Sequence, residues 1–281
     1  MSFPPVYRFP EVHGHRGCRG LLPENTLPAF REALRLGVDV VELDVVISAD
    51  QQVVVSHEPW MSATICRTPA GLPIVPAEQR QHNLYELSYA HIREYDCGLT
   101  RHPGYPQQQP VPAFKPLLRE VVAELENLAR ALGRAPVGYS IEIKSGVGEE
   151  PRFQPAPARF LELVLAELRA LHILPRTTLL SFDKRILQLA RPALPTLPLC
   201  LLVEDAEPVS AHLNALGFRP EVLGPDFRLL TPMLAAELRE QSIKLVPWTV
   251  NEVPDLRRML ALQPWGITTD YPDRLLALRG F

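Results

Sequence analysis

Two acids spaced two residues apart inside an apolar run are the first residues in this chain equipped to do chemistry. Residues 38–46 are β-branched and nearly all apolar, yet Asp39, Glu42 and Asp44 interrupt them. In a strand, side chains alternate between faces, so Glu42 and Asp44 point the same way. Two carboxylates on one face of a buried strand stay ionised only if a cation or hydrogen-bond donors compensate them. Oxygen-only ligands suit one hard divalent cation, Ca²⁺ or Mg²⁺, with Mn²⁺ also compatible. A strand end whose acids face water would carry the same residues, so the rest of the chain must decide.

The elements around this strand are legible. Residues 11–17 read as a short strand entering a glycine turn, and Leu27, Phe30, Ala33 and Leu34 recur at helical spacing. Asn25 or Thr26 is placed to cap that helix over about 27–36, and Gly37 to end it. The acid-bearing strand follows at once, giving a β-α-β unit and hence a parallel sheet. Residues 48–52 form a turn and 53–57 a return arm. The gap is too short for a crossover helix, so the chain descends and comes straight back, raising His57 to the level of Glu42 and Asp44.

Residues 58–115 break the rhythm with clustered prolines and one short helix near 84–94, and read as an insertion over one face of the sheet. Alternation then resumes: helix 116–132, strand 137–144, helix 158–172, strand 176–181, helix 183–192 and strand 197–203. Helix 207–216, strand 221–224, helix 231–241, strand 243–249, helix 252–262, strand 265–269 and a helix from 272 complete it. Nine candidate strands result. Eight close a TIM (β/α)₈ barrel, and the ninth is a hairpin arm or a connection. The length of 281 residues suits one such barrel as a single domain over 1–281.

In such a barrel the strand C-terminal ends form the reactive face. Read in order, those ends offer His15-Arg16, Glu42 with Asp44, His57, Glu142 with Lys144, Trp248 and Asp270. Glu42, Asp44 and Glu142 can hold the cation. Arg16 and Lys144 supply fixed positive charge for an anion such as phosphate. His15 and His57 titrate near neutral pH and can share acid and base work. Trp248 offers a flat apolar wall. Together these are the requirements of phosphoester cleavage.

Composition narrows the class further. A net charge of −3 without a basic block leaves no electrostatic footprint for nucleic acid. No stretch approaches a membrane span, and the first residues lack the apolar core of a signal peptide, so the cytoplasm is the expected compartment. Cys18, Cys66, Cys97 and Cys200 form no metal-binding spacing and read as buried free thiols, with a Cys66–Cys97 bridge as the alternative. The oligomeric state is left open.

The pattern His15-Arg16-Gly17, Pro23-Glu24-Asn25-Thr26, Glu42-Leu43-Asp44-Val45, His57, Glu142-Ile143-Lys144, Trp248-Thr249-Val250-Asn251 and Thr269-Asp270 resembles the glycerophosphodiester phosphodiesterase family. The resemblance runs in order over nearly the whole chain outside the insertion. It implies a TIM barrel that uses a divalent metal to split small glycerophosphodiesters into glycerol 3-phosphate and an alcohol. It implies His15 and His57 as the acid–base pair, Glu42, Asp44 and Glu142 as metal ligands, and Arg16 and Lys144 as phosphate contacts. It further implies attack by a glycerol hydroxyl, then opening of a cyclic phosphate by water, with the insertion as a cap that shapes the pocket. One departure stands out: the family usually has His-Asp where this chain has His57-Glu58, which questions the role of Glu58 but not that of His57.

Three other readings fit less well. A phospholipase D-like or phosphoinositide-cleaving enzyme on the same barrel would act on lipid, yet no basic or amphipathic membrane patch is evident. A Schiff-base aldolase using Lys144 leaves the three acids unexplained. A catalytically silent binding module would be expected to lack an imidazole or a metal ligand, and all are present.

Overall fold

The computed structural model describes residues 8–279. The expectation about the N-terminal segment concerns residues 1–7 and lies outside them. β1 (Glu11–Gly14), α1 (Leu27–Leu36), β2 (Val40–Ile47) and β3 (Val53–Val55) come first. The insertion holds two 3₁₀ turns and the one-turn α2 (Tyr89–Ile92) where a single helix was expected over 84–94. Then α3 (Leu118–Ala131), β4 (Gly138–Ile143), α4 (Pro157–Ala170), β5 (Thr177–Ser181), α5 (Lys184–Ala193) and β6 (Leu199–Val203) follow. The chain ends with α6 (Val209–Leu216), β7 (Val222–Pro225), α7 (Pro232–Glu240), β8 (Lys244–Leu245), α8 (Val253–Ala261), β9 (Gly266–Thr269) and α9 (Pro272–Leu276).

Eight strands run parallel in the order β8-β7-β6-β5-β4-β2-β1-β9. The circle closes because Trp265 N–H donates to Leu245 O at 2.8 Å and Thr268 N–H to Pro247 O at 3.0 Å. The ninth strand, β3, is the hairpin arm: it pairs antiparallel with the end of β2, Val45 facing Val55. Only two residues of the expected strand 243–249 form a regular ladder, since Pro247 has no N–H to give. Trp248 nonetheless stays in the wall, its N–H donating to Pro225 O at 3.1 Å.

Period two sorts each strand. In β2, Val41, Leu43, Val45 and Ile47 face the helices and join a core with Phe30, Leu34, Leu118 and Ile141, while Glu42 and Asp44 face inward. α1 presents Ala29, Phe30, Ala33 and Leu34 to that core and stops at Gly37, whose φ of 111° needs no side chain. The expected side-chain cap does not form. Thr26 occupies the N-cap position but donates its hydroxyl to Pro23 O at 2.5 Å, and Asn25 is drawn away to Asp44.

The insertion builds a core of its own from Met61, Ile65, Ile74, Leu84 and Ile92 against Val46 and Val54. It lies over the strand C-terminal ends: Tyr105 reaches Asp270 after β9, Gln108 donates to Arg19 O after β1 at 2.7 Å, and Asn83 donates to Arg152 O after β4 at 2.7 Å. The expectation of four free thiols holds only for Cys18 and Cys200; Cys66 and Cys97 are joined across 31 positions of the insertion. The alternative offered by the sequence, a Cys66–Cys97 bridge, is the one the structure forms; spacing alone did not select it because the two residues meet only when the irregular segment folds. Disulfides are rare in reducing cytosol, which sets this bond against the cytoplasmic expectation. Among the described residues no helix is long and apolar enough to cross a membrane.

Closing a loop of this size contributes about 2–4 kcal/mol. Cys66→Ser/Cys97→Ser, or reduction, should therefore loosen the insertion and leave the barrel. Hydrogen exchange is expected to rise within 58–115 alone; a uniform rise through β1–β9 would contradict that division.

Candidate active site

The parallel register of β2 and β4 sets Asp44 beside Glu142 and Glu42 beside Ser140. Each of Glu42, Asp44 and Glu142 is buried, and their ligand atoms lie within 4.8 Å of one another. Asn25 donates to Asp44 Oδ2 at 2.8 Å, and Arg16 Nε lies 3.2 Å from the same oxygen. Asp44 Oδ1 has no hydrogen-bond partner among the described residues. Glu42 accepts the Arg16 backbone N–H at 2.8 Å, and Glu142 accepts from Lys144 Nζ at 2.7 Å. Burial and the charge of Asp44 push Glu42 well above the usual carboxylate range, and burial raises Glu142 as well. Asp44 is held low despite its burial, because Arg16, His57 and Lys144 outweigh it. Three close carboxylates, one with an orphaned oxygen and two short of compensating charge, fit a divalent cation bound through oxygen.

His15 leaves β1 into a turn whose next residues, Arg16 and Gly17, both take positive φ. A Cβ on Gly17 would come within 2.8 Å of the Ala29 backbone, so only glycine lets the turn pack on α1. The turn places His15 Nδ1 2.6 Å from Asp270 Oδ1 and Nε2 3.8 Å from Glu42. With a carboxylate at Nδ1, that nitrogen carries the proton and Nε2 is left facing the mouth. Burial, only partly opposed by Asp270, pushes the His15 pKa down to about 4, so the ring is neutral near pH 7. Asp270 is fully buried and also accepts from Arg19 Nε at 3.0 Å, Asn251 Nδ2 at 2.7 Å and Tyr105 Oη at 3.1 Å.

His57 reaches the same level by the predicted return, as Ser56 N–H donates to Asp44 O at 3.0 Å. Its Nδ1 lies 2.8 Å from Glu58 Oε1, which again leaves Nε2 free. Burial would raise the Glu58 carboxyl, but the His57 hydrogen bond and charge outweigh it and bring the pKa down to about 2. The extra methylene of Glu58 relative to aspartate is thus accommodated, and its carboxylate reaches the imidazole.

Arg16 donates to Glu24 Oε1 at 2.7 Å, and Lys144 stands at the edge of the carboxylate group with its side chain 18% exposed. Trp248 donates its indole N–H to Gly224 O at 2.7 Å and meets Phe182 edge-on, the ring centroids 5.5 Å apart. His15, Arg16, His57, Lys144, Phe182 and Trp248 all line one cavity of about 880 Å³ that continues into the barrel. All eight residues expected at the site gather at this mouth. Several more belong to it without having been assigned a part. Asn25 and Asp270 sat in the motifs, and their strand-end position was the available signal. Arg19, Tyr105 and Lys115 gave none, because the loops that bring them here have no periodicity.

Comparison with known proteins identifies the family and the fold. The model of the glycerophosphoryl diester phosphodiesterase family matches residues 15–274. A glycerophosphodiester phosphodiesterase of Caldanaerobacter subterraneus is 28% identical over 95% of this chain and 96% of its own. One from Bacillus subtilis is 28% identical over 92% of this chain and 83% of its own. A Silicibacter pomeroyi protein whose crystal structure carries the same family name superposes with a TM-score of 0.86 at 31% identity, covering 96% of this chain and 92% of the other. An Oleispira antarctica phosphodiesterase, solved with the product sn-glycerol-3-phosphate, shares the fold at 20% identity, with a TM-score of 0.74 over 96% of each chain. With the family model spanning the chain from His15 to beyond Asp270, this protein belongs to the glycerophosphoryl diester phosphodiesterase family.

Proposed function

We propose that this chain hydrolyses small glycerophosphodiesters to sn-glycerol 3-phosphate and an alcohol, with His15 and His57 as the proton-transfer pair. The observation that carries the reading is the matched arrangement of the two imidazoles. Each has its Nδ1 against a carboxylate, Asp270 or Glu58, and each ring lines the cavity that Glu42, Glu142, Arg16 and Lys144 also line. Family membership supports the same reading.

Glu42, Asp44 and Glu142 would hold one divalent cation, Ca²⁺ or Mg²⁺, which when bound polarises a phosphoryl oxygen. Arg16 and Lys144 would offset negative charge on the phosphate oxygens. His15, kept neutral by burial, would take a proton at Nε2 from the attacking hydroxyl, and Asp270 would stabilise the imidazolium so formed. His57, carrying a proton on both nitrogens with Glu58 against Nδ1, would give its Nε2 proton to the departing alcohol; water opening the resulting cyclic phosphate would return a proton to His57, and His15 would give its proton back to the freed hydroxyl oxygen. Trp248 and Phe182 would form a dry wall beside the reacting group, and residues 58–115 would cap the pocket within one barrel domain.

Chelation followed by dialysis should abolish turnover, and Ca²⁺, Mg²⁺ or Mn²⁺ should restore it. Glu142→Gln should lower metal affinity and activity together. Full activity in excess chelator would refute the metal assignment.

His15→Ala and His57→Ala should each lower kcat by about 10²–10⁴-fold, with little change in thermal stability. A nitrophenyl diester, whose alcohol leaves without a proton, should partly rescue His57→Ala and not His15→Ala. Rescue of the opposite variant would exchange the two roles.

The depressed pKa of His15 gives a pH signature. An unfolded histidine binds a proton near pH 6.5, whereas native His15 does so only at about 4. Between those values the unfolded state holds the extra proton. Stability of the metal-free protein should therefore fall as pH drops from about 6.5 toward 4 and lose this dependence below. Asp270→Asn removes the charge that raises this pKa, so NMR should find His15 titrating lower still.

A further inference from the structure

Lys115 is a buried cation that the proposed reaction does not use. It ends the insertion, just ahead of α3, and is 3% exposed. Its Nζ donates to Ser56 Oγ at 2.7 Å, and Ser56 Oγ donates in turn to the Glu58 backbone O at 2.6 Å. The adjoining backbone is tied as well, with Val55 N–H donating to Pro116 O at 2.8 Å. The ammonium therefore sits directly behind the turn Ser56-His57-Glu58. The charges that act on it are the carboxylates of Glu58, Glu24 and Asp44 and the guanidinium of Arg16.

A buried ammonium with a single hydrogen-bond partner is expensive. As a packing element alone it would be poorly chosen, since apolar groups of similar volume commonly replace buried charges without loss of stability. Its placement gains a purpose through the turn it holds. The Ser56 hydroxyl fixes the backbone on either side of His57. The positive charge favours an ionised Glu58, whose carboxylate holds His57 Nδ1–H, fixes the ring and favours the imidazolium that offers its Nε2 proton to the alcohol.

We propose that Lys115 is a positioning residue for His57, acting through Ser56 and the Glu58 carboxylate, so that the insertion orients one of the two imidazoles as well as covering them. This rests on His57 being a proton carrier in the reaction.

The test compares full-length, metal-loaded wild type, Lys115→Met, His57→Ala and the double variant, on glycerophosphocholine and on a nitrophenyl diester. Lys115→Met should lower kcat on glycerophosphocholine by about 10- to 100-fold, the usual effect of losing a supporting hydrogen bond behind a functional group. KM and Ca²⁺ affinity by calorimetry should stay within about twofold, and the nitrophenyl ester should lose less. Lys115→Met added to His57→Ala should cost nothing further. Nitrogen NMR should find the hydrogen bond from His57 Nδ1 to Glu58 weakened. An unchanged kcat, a multiplicative double-variant loss, or a parallel loss of Ca²⁺ affinity would overturn the proposal. If Lys115→Met fails to fold, Ser56→Ala decides: it severs the same link with a smaller change, and normal kcat there would overturn the proposal equally. A full-rate His57→Ala would instead remove the underlying reading and the proposal with it, whereas a crippled His57→Ala beside a full-rate Lys115→Met would sink the proposal alone.

Discussion

Everything at the mouth of this barrel answers to three carboxylates held within 4.8 Å of one another and out of water. Buried negative charge at that density is unfavourable without compensation. Arg16 and Asn25 meet Asp44 from the β1 side, and Lys144 meets Glu142 from β4. These groups satisfy part of the site and leave Asp44 Oδ1 without a hydrogen bond among the described residues, its nearest cation being Lys144 Nζ at 3.9 Å. The remaining deficit is what a divalent cation would fill, and the parallel register of β2 with β4 is what creates it.

The histidines are arranged by the same economy of charge. Asp270 gathers His15, Arg19, Asn251 and Tyr105 on one buried carboxylate, so the imidazole, two barrel loops and the insertion share a single anchor. Glu58, partly exposed, and the buried Lys115 do the equivalent behind His57 with fewer partners. The insertion thus contributes to both sides. Tyr105 comes from its irregular middle and Lys115 from its end, and the Cys66–Cys97 bond ties its earlier part together.

The barrel was legible because its strands obey a period of two and its helices a period near 3.6. Those periods separate Leu43 from Glu42 and Asp44, and Phe30 from its exposed neighbours, before any contact is known. The tight return at 48–52 was enough to place His57 level with Asp44. What stayed hidden depends on contacts distant in sequence. Asn25 looked like a helix cap because its type and position suit one, yet Asp44 competes for its amide and wins. Pro247 cut short a strand whose hydrophobic pattern continues. Tyr105 and Lys115 lie in a segment with no periodicity, where only the folded chain brings partners together, and there the sequence offers the Cys66–Cys97 pairing only as one of two alternatives.

If Glu42, Asp44 and Glu142 together form one cation site, anomalous diffraction from crystals soaked in Mn²⁺ will reveal it. One peak is predicted at the mouth, within about 2.0–2.6 Å of an oxygen from each of the three side chains. A fully active crystalline enzyme with no peak there, or with its only peak elsewhere, would contradict it.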